Sequence, residues 1–326
     1  MARSTPDIEA LKDAVQLACR APSVHNSQPW LWTAEEGTLR LFVNRHLLVP
    51  GTDQSGREAI ISCGAVLDHL RVAMLAAGWR SKVKRFPTKS DPSELASIRF
   101  GRADDVTEAD RDRAEAILER RTDRLPLGQP SYWDLFEPAL RNAIDSTVVK
   151  LHVLADNARP WLAEATRLTE EIRRDDWIYH AELDWWTSPF ALSSGIPPTA
   201  LASEEERRRV DIGREFPVRV HANRRHEAGT DWAKVLVLSS TQDSSVDWLR
   251  CGEVLSSVLL ECTLAGMATC TLTHLTELDE SRDIVRRLID PSLQPQVLIR
   301  VGITPLLEDH PAPTPRRPLR DVLRIR

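Results

Sequence analysis

A segment that recurs 188 residues further along the chain constrains the fold more than any other feature of the sequence. The segment CGAVLDHLRVAMLAAG (63–78) aligns with CGEVLSSVLLECTLAG (251–266), and six of the sixteen positions are identical. Composition alone would give roughly one identity. Both segments are apolar nearly all round and end at a glycine, Gly78 or Gly266, which is typical of a buried helix. The repeat therefore predicts two long buried helices in two related halves.

Strand-like stretches flank both repeated segments on the same plan. LRLFV (39–43) and KVLVLSS (234–240) precede them, and VKRF (83–86) and CTLTHL (270–275) follow them. The other predicted elements are helices over 7–20, over 107–121 from a T-E-A-D capping pattern at Thr107, and over 279–289, and a strand over 296–302. This order of elements predicts an α+β fold in which the helices pack on a mixed sheet.

The 326 residues exceed the usual length of one domain, and the two predicted halves are unequal. We predict a first half over 1–105 and a second half over 106–326, with an insertion at about 177–232. Four of the ten tryptophans lie in this insertion as candidate apolar anchors: Trp177, Trp185, Trp186 and Trp232. Long insertions of this kind are either lids over a pocket or helical excursions on their own core, and the sequence leaves both open.

Charge and composition exclude several classes of protein. The net charge of −5 argues against a general nucleic-acid surface. All but six of the 43 basic residues are arginine, so a single arginine is weak evidence for a site. Five cysteines without a C-x-x-C pair predict neither a disulfide framework nor a zinc ribbon. The start MARSTPDIEALKDAV lacks the apolar run of a signal peptide, and no stretch approaches a membrane span, so we expect a cytoplasmic protein.

Common active-site signatures are missing from the sequence. None of the thirteen glycines forms a G-x-G pair, which excludes the dinucleotide fingerprint of the Rossmann fold. GTDQSGRE (51–58) has the glycine spacing of a phosphate-binding loop but lacks its lysine. Neither G-x-S-x-G nor H-E-x-x-H occurs, so neither a hydrolase nor a metal site is predicted.

One segment after the first predicted helix carries a dense set of polar side chains. In APSVHNSQPW (21–30), hydroxyl and amide groups lie between two prolines. Such groups on irregular backbone suit the polar edge of a planar heterocycle. A capped turn between a helix and a strand would use the same residue types, and the residues alone leave both interpretations open.

This ten-residue pattern resembles the signature of the nitroreductase family of flavin mononucleotide (FMN) proteins. LERRTDRLP (118–126) resembles the family's R-R-S-x-R motif, which contacts the FMN phosphate and ribityl chain from the partner subunit. GMATCTLTHL (266–275) is similar to a segment whose continuation contacts the flavin N5 edge, and PTPRRPLRDVL (313–323) to a basic segment that holds the phosphate. The resemblance covers essentially the full chain and is greatest to the mycobacterial Acg-type nitroreductases.

The resemblance implies FMN as the cofactor and a set of binding residues, with no catalytic side chain and no metal because flavin N5 carries the chemistry. The implied FMN-binding residues are Ser23, Asn26, Ser27, Gln28, Trp30, Arg120, Arg121, Thr122, Arg124, Thr273, His274, Arg316 and Arg317. Without the resemblance, the arginine run would be interpreted as a solvated helix end. His274 could tune the flavin or be a structural histidine in a buried strand.

Each motif occurs once in the chain. The resemblance then implies an internally duplicated, nitroreductase-like chain that corresponds to a whole homodimer. Such a chain would carry one FMN site and act as a monomer. The implied activity is two-electron reduction of a nitro or quinone compound, an electron-poor acceptor, by NAD(P)H through FMN. The alternative is an FMN storage, sequestration or sensing protein whose flavin is covered by the insertion. The sequence does not decide between them.

Overall fold

Two β-sheets each pack against one of two long helices, and these helices cross each other. The computed structural model describes residues 5–189, 193–217, 223–225, 229–305 and 312–326. The described strands are β1 (Trp30–Glu35), β2 (Thr38–Val43), β3 (Trp79–Arg85), β4 (Glu94–Arg102), β5 (Val149–Leu154), β6 (Lys234–Ser240), β7 (Ala268–Leu272), β8 (Gln294–Gly302) and β9 (Leu323–Ile325). The described helices are α1 (Ile8–Ala18), α2 (Arg57–Ala76), α3 (Glu108–Glu119), α4 (Trp133–Ala143), α5 (Arg159–Arg173), α6 (Trp177–Trp186), α7 (Glu204–Arg207), α8 (Ser245–Leu264), α9 (Asp279–Leu288) and α10 (Leu319–Val322). The predicted α+β class is confirmed.

The first sheet has the order β3-β4-β2-β1-β9, and the second has the order β5-β6-β8-β7. Neighbouring strands are antiparallel except β9, which runs parallel to β1 with Leu323 opposite Trp32. The last strand of the chain therefore completes the sheet built by the first hundred residues. This pairing brings the C-terminal arginines beside the end of α1.

The helices α2 and α8 are the two repeated segments, and they cross at equivalent glycines. A Cβ atom added at Gly64 would lie 2.0 Å from the carbonyl oxygen of Leu249, and one added at Gly252 would lie 1.9 Å from that of Ile61. Both contacts are far shorter than van der Waals distance, so only glycine permits this approach. The contacts are reciprocal, since each pair occupies the same positions in the repeat.

A further contact joins equivalent positions of the two helices. Ser256 Oγ donates a hydrogen bond of 2.7 Å to Asp68 Oδ2, and these residues are also 188 apart. Each helix also reaches into the opposite core: Leu249 of α8 belongs to the apolar cluster of the first sheet, and Ile61 of α2 to that of the second. Reciprocal contacts of this kind are the pattern of a twofold interface.

One local prediction is confirmed and one predicted strand is too long. The predicted capping box is confirmed, because Thr107 Oγ1 accepts from the Asp110 amide and the Asp110 side chain accepts from the Thr107 amide at 2.9 Å. The predicted strand over 270–275 is wrong beyond Leu272. Residues His274–Thr276 form a 3-10 turn instead, in which the Thr276 amide donates to the Thr273 carbonyl at 2.7 Å.

The prediction that no stretch approaches a membrane span is wrong for α2 by length and composition. Among the described residues, α2 is the one helix that is long and apolar enough, and 78% of its most apolar window is buried inside the protein. The helix packs against α1, α3 and α8, and burial on so many sides requires apolar surface almost all round.

Candidate functional site

Two adjoining cavities lie beside the insertion. The crossed helices and the second sheet line the first, and the end of α1, residues 120–124 and the C-terminal segment line the second. The larger, here called the central cavity, encloses about 1310 Å³ of empty space, and the smaller, the arginine cavity, about 660 Å³, both including open solvent. Their shared lining residues are Pro22, Ser23, Thr122, Arg124 and Ile196. The two cavities are therefore neighbours along one cleft, which could hold an elongated ligand.

The arginine cavity concentrates positive charge. Its lining arginines are Arg20, Arg120, Arg121, Arg124 and Arg316, and no carboxylate stands among its described lining residues. Two of them are fixed by the carbonyl end of α1: Arg316 Nε donates to the Cys19 oxygen at 2.8 Å, and an Arg120 nitrogen donates to the Arg20 oxygen at 3.2 Å. Backbone carbonyls at a helix C-terminus attract such cations.

Within the described part of the chain, no carboxylate pairs with Arg20, Arg120, Arg124 or Arg316. Burial and then the positive charge of Arg20 lower the pKa of Arg120 to about 10. Burial, followed by the charges of Arg120 and Arg20, lowers the pKa of Arg316 to about 9. These like charges repel one another, so the cluster favours an anion. Guanidinium groups bind phosphate through paired, charge-assisted hydrogen bonds.

The segment between α1 and β1 forms a strained wall of the cleft. His25, Asn26 and Gln28 have positive φ angles of 48°, 56° and 52°, a region that residues other than glycine rarely adopt. Ser23 Oγ, which accepts from the Gln28 amide at 3.0 Å, helps to hold this backbone. The Val24 amide also donates to Ser62 Oγ at 3.1 Å. Strained backbone of this kind is concentrated at functional sites.

The two amide side chains of this segment tie distant parts of the chain together. Asn26 Nδ2 donates to the carbonyl oxygens of Gly195 at 2.9 Å and Pro315 at 3.1 Å. Gln28 Nε2 donates to the Ser193 oxygen at 2.9 Å, while its Oε1 accepts from the Arg317 amide at 2.8 Å. These amides therefore fix the insertion and the C-terminal segment against the cleft.

Nine of the thirteen residues predicted from the resemblance line the two cavities: Ser23, Asn26, Arg120, Arg121, Thr122, Arg124, Thr273, His274 and Arg316. The other four, Ser27, Gln28, Trp30 and Arg317, line neither cavity. Ser27, Gln28 and Trp30 are fully buried. The Arg317 side chain donates to the carbonyl oxygens of Gln28 and Asp321 instead.

Sequence reasoning missed an anchor between the insertion and the second sheet. The Arg214 side chain is only 7% exposed and forms a double ion pair with Glu277. It also donates to Tyr179 Oη at 2.9 Å and Thr273 Oγ1 at 3.1 Å. In so arginine-rich a chain, no sequence signal distinguishes Arg214 from its neighbours.

Two buried histidines line the central cavity in their neutral form. Burial, with the nearby Arg214 charge, lowers the pKa of both His25 and His274 well below the usual value. His25 Nε2 lies 2.9 Å from Thr52 Oγ1, and His274 Nε2 lies 3.2 Å from Thr166 Oγ1. No described residue bonds His274 Nδ1, so this nitrogen can serve a ligand.

The insertion lines the central cavity with the apolar side chains of Ile196, Leu201, Val210 and Phe216 and with charged side chains that include Arg214. The expectation that its tryptophans are apolar anchors is wrong for three of the four. Trp177, Trp185 and Trp232 are 75%, 70% and 63% exposed, and only Trp186 is buried. α6 presents Trp177 and Trp185 to solvent because its buried side chains are Tyr179, Leu183 and Trp186.

No family model matches the sequence. The chain is 62% identical to a Mycobacterium tuberculosis protein named "Uncharacterized protein Rv3127", over 97% of this chain and 93% of that one. It is 54% identical to "Putative NAD(P)H nitroreductase acg" of the same organism, over 98% and 96% of the two chains. A solved structure described as a putative nitroreductase from Anabaena variabilis covers 93% of this chain and 90% of its own, with a TM-score of 0.51 at 10% identity.

Proposed function

Because this chain belongs to the nitroreductase family, as a close relative of Acg, we propose that it binds one FMN along the cleft formed by the two cavities. The observation that carries the proposal is the arginine cavity, where the guanidiniums of Arg120 and Arg316 repel each other and, among the described residues, bond only to carbonyl oxygens. A phosphate dianion would neutralise this charge. The adjoining central cavity then accommodates the ring, since its lining combines apolar side chains with polar and charged groups.

The residues that would hold the ring come from both halves of the molecule. Ile61 of α2 and Leu255 of α8 supply apolar contact, and Ser23, Thr273 and His274 supply polar groups. FMN, when bound, accepts a hydride from a nicotinamide and transfers two electrons to an acceptor. The protein's own groups orient the ring, exclude water and complement the charge of its reduced form. No acid or base from the chain is required for hydride transfer.

The activity that fits this site is NAD(P)H-dependent reduction of a nitro or quinone compound. The name of Acg supports NAD(P)H as the reductant. The wall formed by the insertion favours a second candidate, an FMN storage or sensing protein with a covered flavin. Arg214 fastens that wall to Glu277, which would limit the approach of a nicotinamide.

We also propose that the chain is an internal duplication, with halves over 1–105 and 106–326, that acts as a monomer. The reciprocal crossing at Gly64 and Gly252 and the bond between Asp68 and Ser256 support this proposal. Such an interface normally joins two subunits. Light scattering of the purified protein should give the mass of one chain, 36.8 kDa; an obligate dimer sharing flavin between chains would contradict it.

Reconstitution of the flavin-free protein tests the site, with riboflavin as the ligand that lacks phosphate. We expect about one FMN per chain and much weaker riboflavin binding; two FMN per chain, or equal affinities, would contradict the proposal. Anaerobic mixing of the FMN-loaded protein with NADH and with NADPH then separates the candidate functions. Rapid bleaching of the flavin indicates a reductase, whereas bleaching by dithionite alone favours storage.

A further inference from the structure

Glu58 is a buried acid that lines the central cavity and that neither the sequence motifs nor the proposed function uses. It lies in the first turn of α2, after Gly56, and is only 2% exposed. A carboxyl group in such a place must be paired or neutral, because burying an unpaired charge is strongly unfavourable. The partners of its two oxygens therefore decide its state.

The hydrogen bonding of Glu58 is incomplete. No described residue bonds Oε2, and Oε1 has one long contact of 3.4 Å with an Arg57 nitrogen. The same Arg57 side chain donates shorter bonds to the carbonyl oxygens of Thr276 at 2.6 Å and Gln296 at 2.7 Å. Arg57 is thus committed elsewhere and compensates a charge on Glu58 poorly.

The charges that face Glu58 from other segments also disfavour its ionised form. Asp53, in the loop before α2, and Glu277, after the 3-10 turn, carry carboxyl groups that interact electrostatically with Glu58. Arg214 lies nearby on the insertion, but it forms its double ion pair with Glu277. Burial, and then the carboxylates of Glu277 and Asp53, raise the pKa of Glu58 well above its usual range. A carboxyl held neutral in this way can donate a hydrogen bond.

We propose that Glu58 presents a protonated Oε2 to the central cavity and donates a hydrogen bond to a carbonyl oxygen of an uncharged planar ring bound there. The proposal deepens the function proposed above and rests on it for the presence of a ring. Two ligands carry such an oxygen: the pyrimidine portion of the flavin itself, and a quinone acceptor. Glu58 is therefore a ligand-positioning group, and the experiment must separate the two ligands.

The protonation state can be measured on the flavin-free protein, independently of any ligand. Infrared difference spectra of wild type and Glu58→Gln at pH 7 should contain a carboxylic acid C=O band that shifts in D2O and that the variant lacks. Glu253→Gln is the matched control, since Glu253 is similarly buried but accepts two short bonds from Arg85. Absence of the band from wild type overturns the proposal, even if FMN binds as proposed.

Binding then identifies the acceptor oxygen. Glu58→Gln keeps a hydrogen-bond donor at this position, and Glu58→Met removes it at similar volume. We expect Glu58→Met to weaken binding by about 2- to 12-fold, the range of one neutral hydrogen bond, and Glu58→Gln by less than about 3-fold. A loss in FMN affinity assigns the bond to the flavin. A loss only in menadione affinity of the FMN-loaded protein assigns it to the quinone.

Two outcomes contradict the role of Glu58 as donor. If Glu58→Gln and Glu58→Met weaken binding equally, a charged carboxylate is what the ligand requires. If neither changes the affinity for FMN or for menadione, Glu58 does not contact the ligand. Failure of the wild-type protein to bind FMN would contradict the proposed function instead, and the infrared band distinguishes the two failures. The near-isosteric Glu58→Gln keeps the test valid if Glu58→Met does not fold.

Discussion

Arginines line two regions of this molecule, the arginine cavity and a groove on the crossed helices, but their partners differ. The groove, of about 1730 Å³ with open solvent included, is lined by Asp68, Arg71, Arg85, Arg113, Arg250 and Glu253 among others. There Glu253 accepts two bonds of 2.6 Å from Arg85 and one of 3.3 Å from Arg71. In the arginine cavity, the buried guanidiniums of Arg120 and Arg316 bond, within the part of the chain that the structure describes, to backbone carbonyls alone.

The difference shows that the role of an arginine in this molecule follows from the group to which it bonds. The presence of an arginine in a cavity says less. The bond with Glu253 raises the pKa of Arg85, so the folded state favours that charge. Burial lowers the pKa of Arg316, so the ligand-free fold disfavours its charge. Groove arginines should therefore support stability, and cavity arginines should support binding of an anion.

The largest effect should come from the helix crossing, which lines the groove and also the central cavity next to the arginine cavity. Gly252→Ala would place a Cβ against the Ile61 carbonyl, and the helices must separate to admit it. We expect the free energy of unfolding in urea to fall by roughly 3 kcal/mol, at the upper end of overpacking effects, with weaker FMN binding as well. Gly101→Ala is the control, because nothing lies within 4 Å of its added Cβ. A loss below about 1 kcal/mol would mean that the crossing adapts easily.

Next in size should be the loss of a cavity arginine. Arg316→Ala should weaken FMN binding by about 1.5–3 kcal/mol, the range of hydrogen bonds to charged groups, and riboflavin binding far less. The stability of the flavin-free protein should be unchanged or higher, since one of several repelling charges is removed. Isothermal titration and thermal unfolding measure the two effects. An equal loss for FMN and riboflavin would place the phosphate elsewhere.

Removal of the groove acid should have the opposite pattern. Glu253→Gln breaks the ion pairs with Arg85 and Arg71, and we expect the free energy of unfolding to fall by about 1–2 kcal/mol. The expected loss is below that of a fully buried pair because Arg85 and Arg71 are 26% and 43% exposed. FMN affinity should stay within about 2-fold of wild type. If FMN affinity falls as stability does, the division between the two regions fails.

The smallest effect, per pH unit, concerns the neutral histidines of the central cavity. An unfolded histidine binds a proton below about pH 6.5, whereas His25 and His274 stay neutral in the fold. Their contribution to stability is present above that pH and lost as pH falls towards 5, by up to about 1.4 kcal/mol per unit for each. Denaturant melts at several pH values should show that the free energy of unfolding of His274→Gln falls less steeply than that of wild type as the pH is lowered. Glu253→Gln should keep the wild-type slope, since no histidine is among the described residues of the groove.

The elements that sequence reasoning predicts well are those set by local pattern. The repeated buried helices and the capping box at Thr107 follow from periodicity and from side chains three residues apart. The parallel pairing of β9 with β1 joins residues about 290 apart, and no local pattern encodes it. The exposure of Trp177 and Trp185 also escaped prediction, because tertiary packing decides which face of α6 is buried.

The predicted site residues stay a prediction, but the structure shows which of them lie together. Motifs that resemble the family bring Ser23, Arg120 and His274 to one cleft. Glu58 and Arg214 stand in no motif, and only the folded chain brings them to the same cavity. Gln28 is the opposite case. The sequence predicts it as a contact of the ligand, but its amide instead bonds to two distant segments of the chain.

The bond from Arg316 to the Cys19 carbonyl spans 297 positions of the chain and has a consequence for the order of assembly. During synthesis the end of α1 emerges early, whereas Arg316 is added 297 positions after Cys19. The arginine cluster that we propose to bind phosphate is therefore incomplete until residue 316 has been added. Contacts this distant in sequence form late and slowly in folding. Cofactor uptake should consequently follow the synthesis of Arg316, and a truncation before residue 312 should give a chain that keeps both crossed helices but retains FMN poorly.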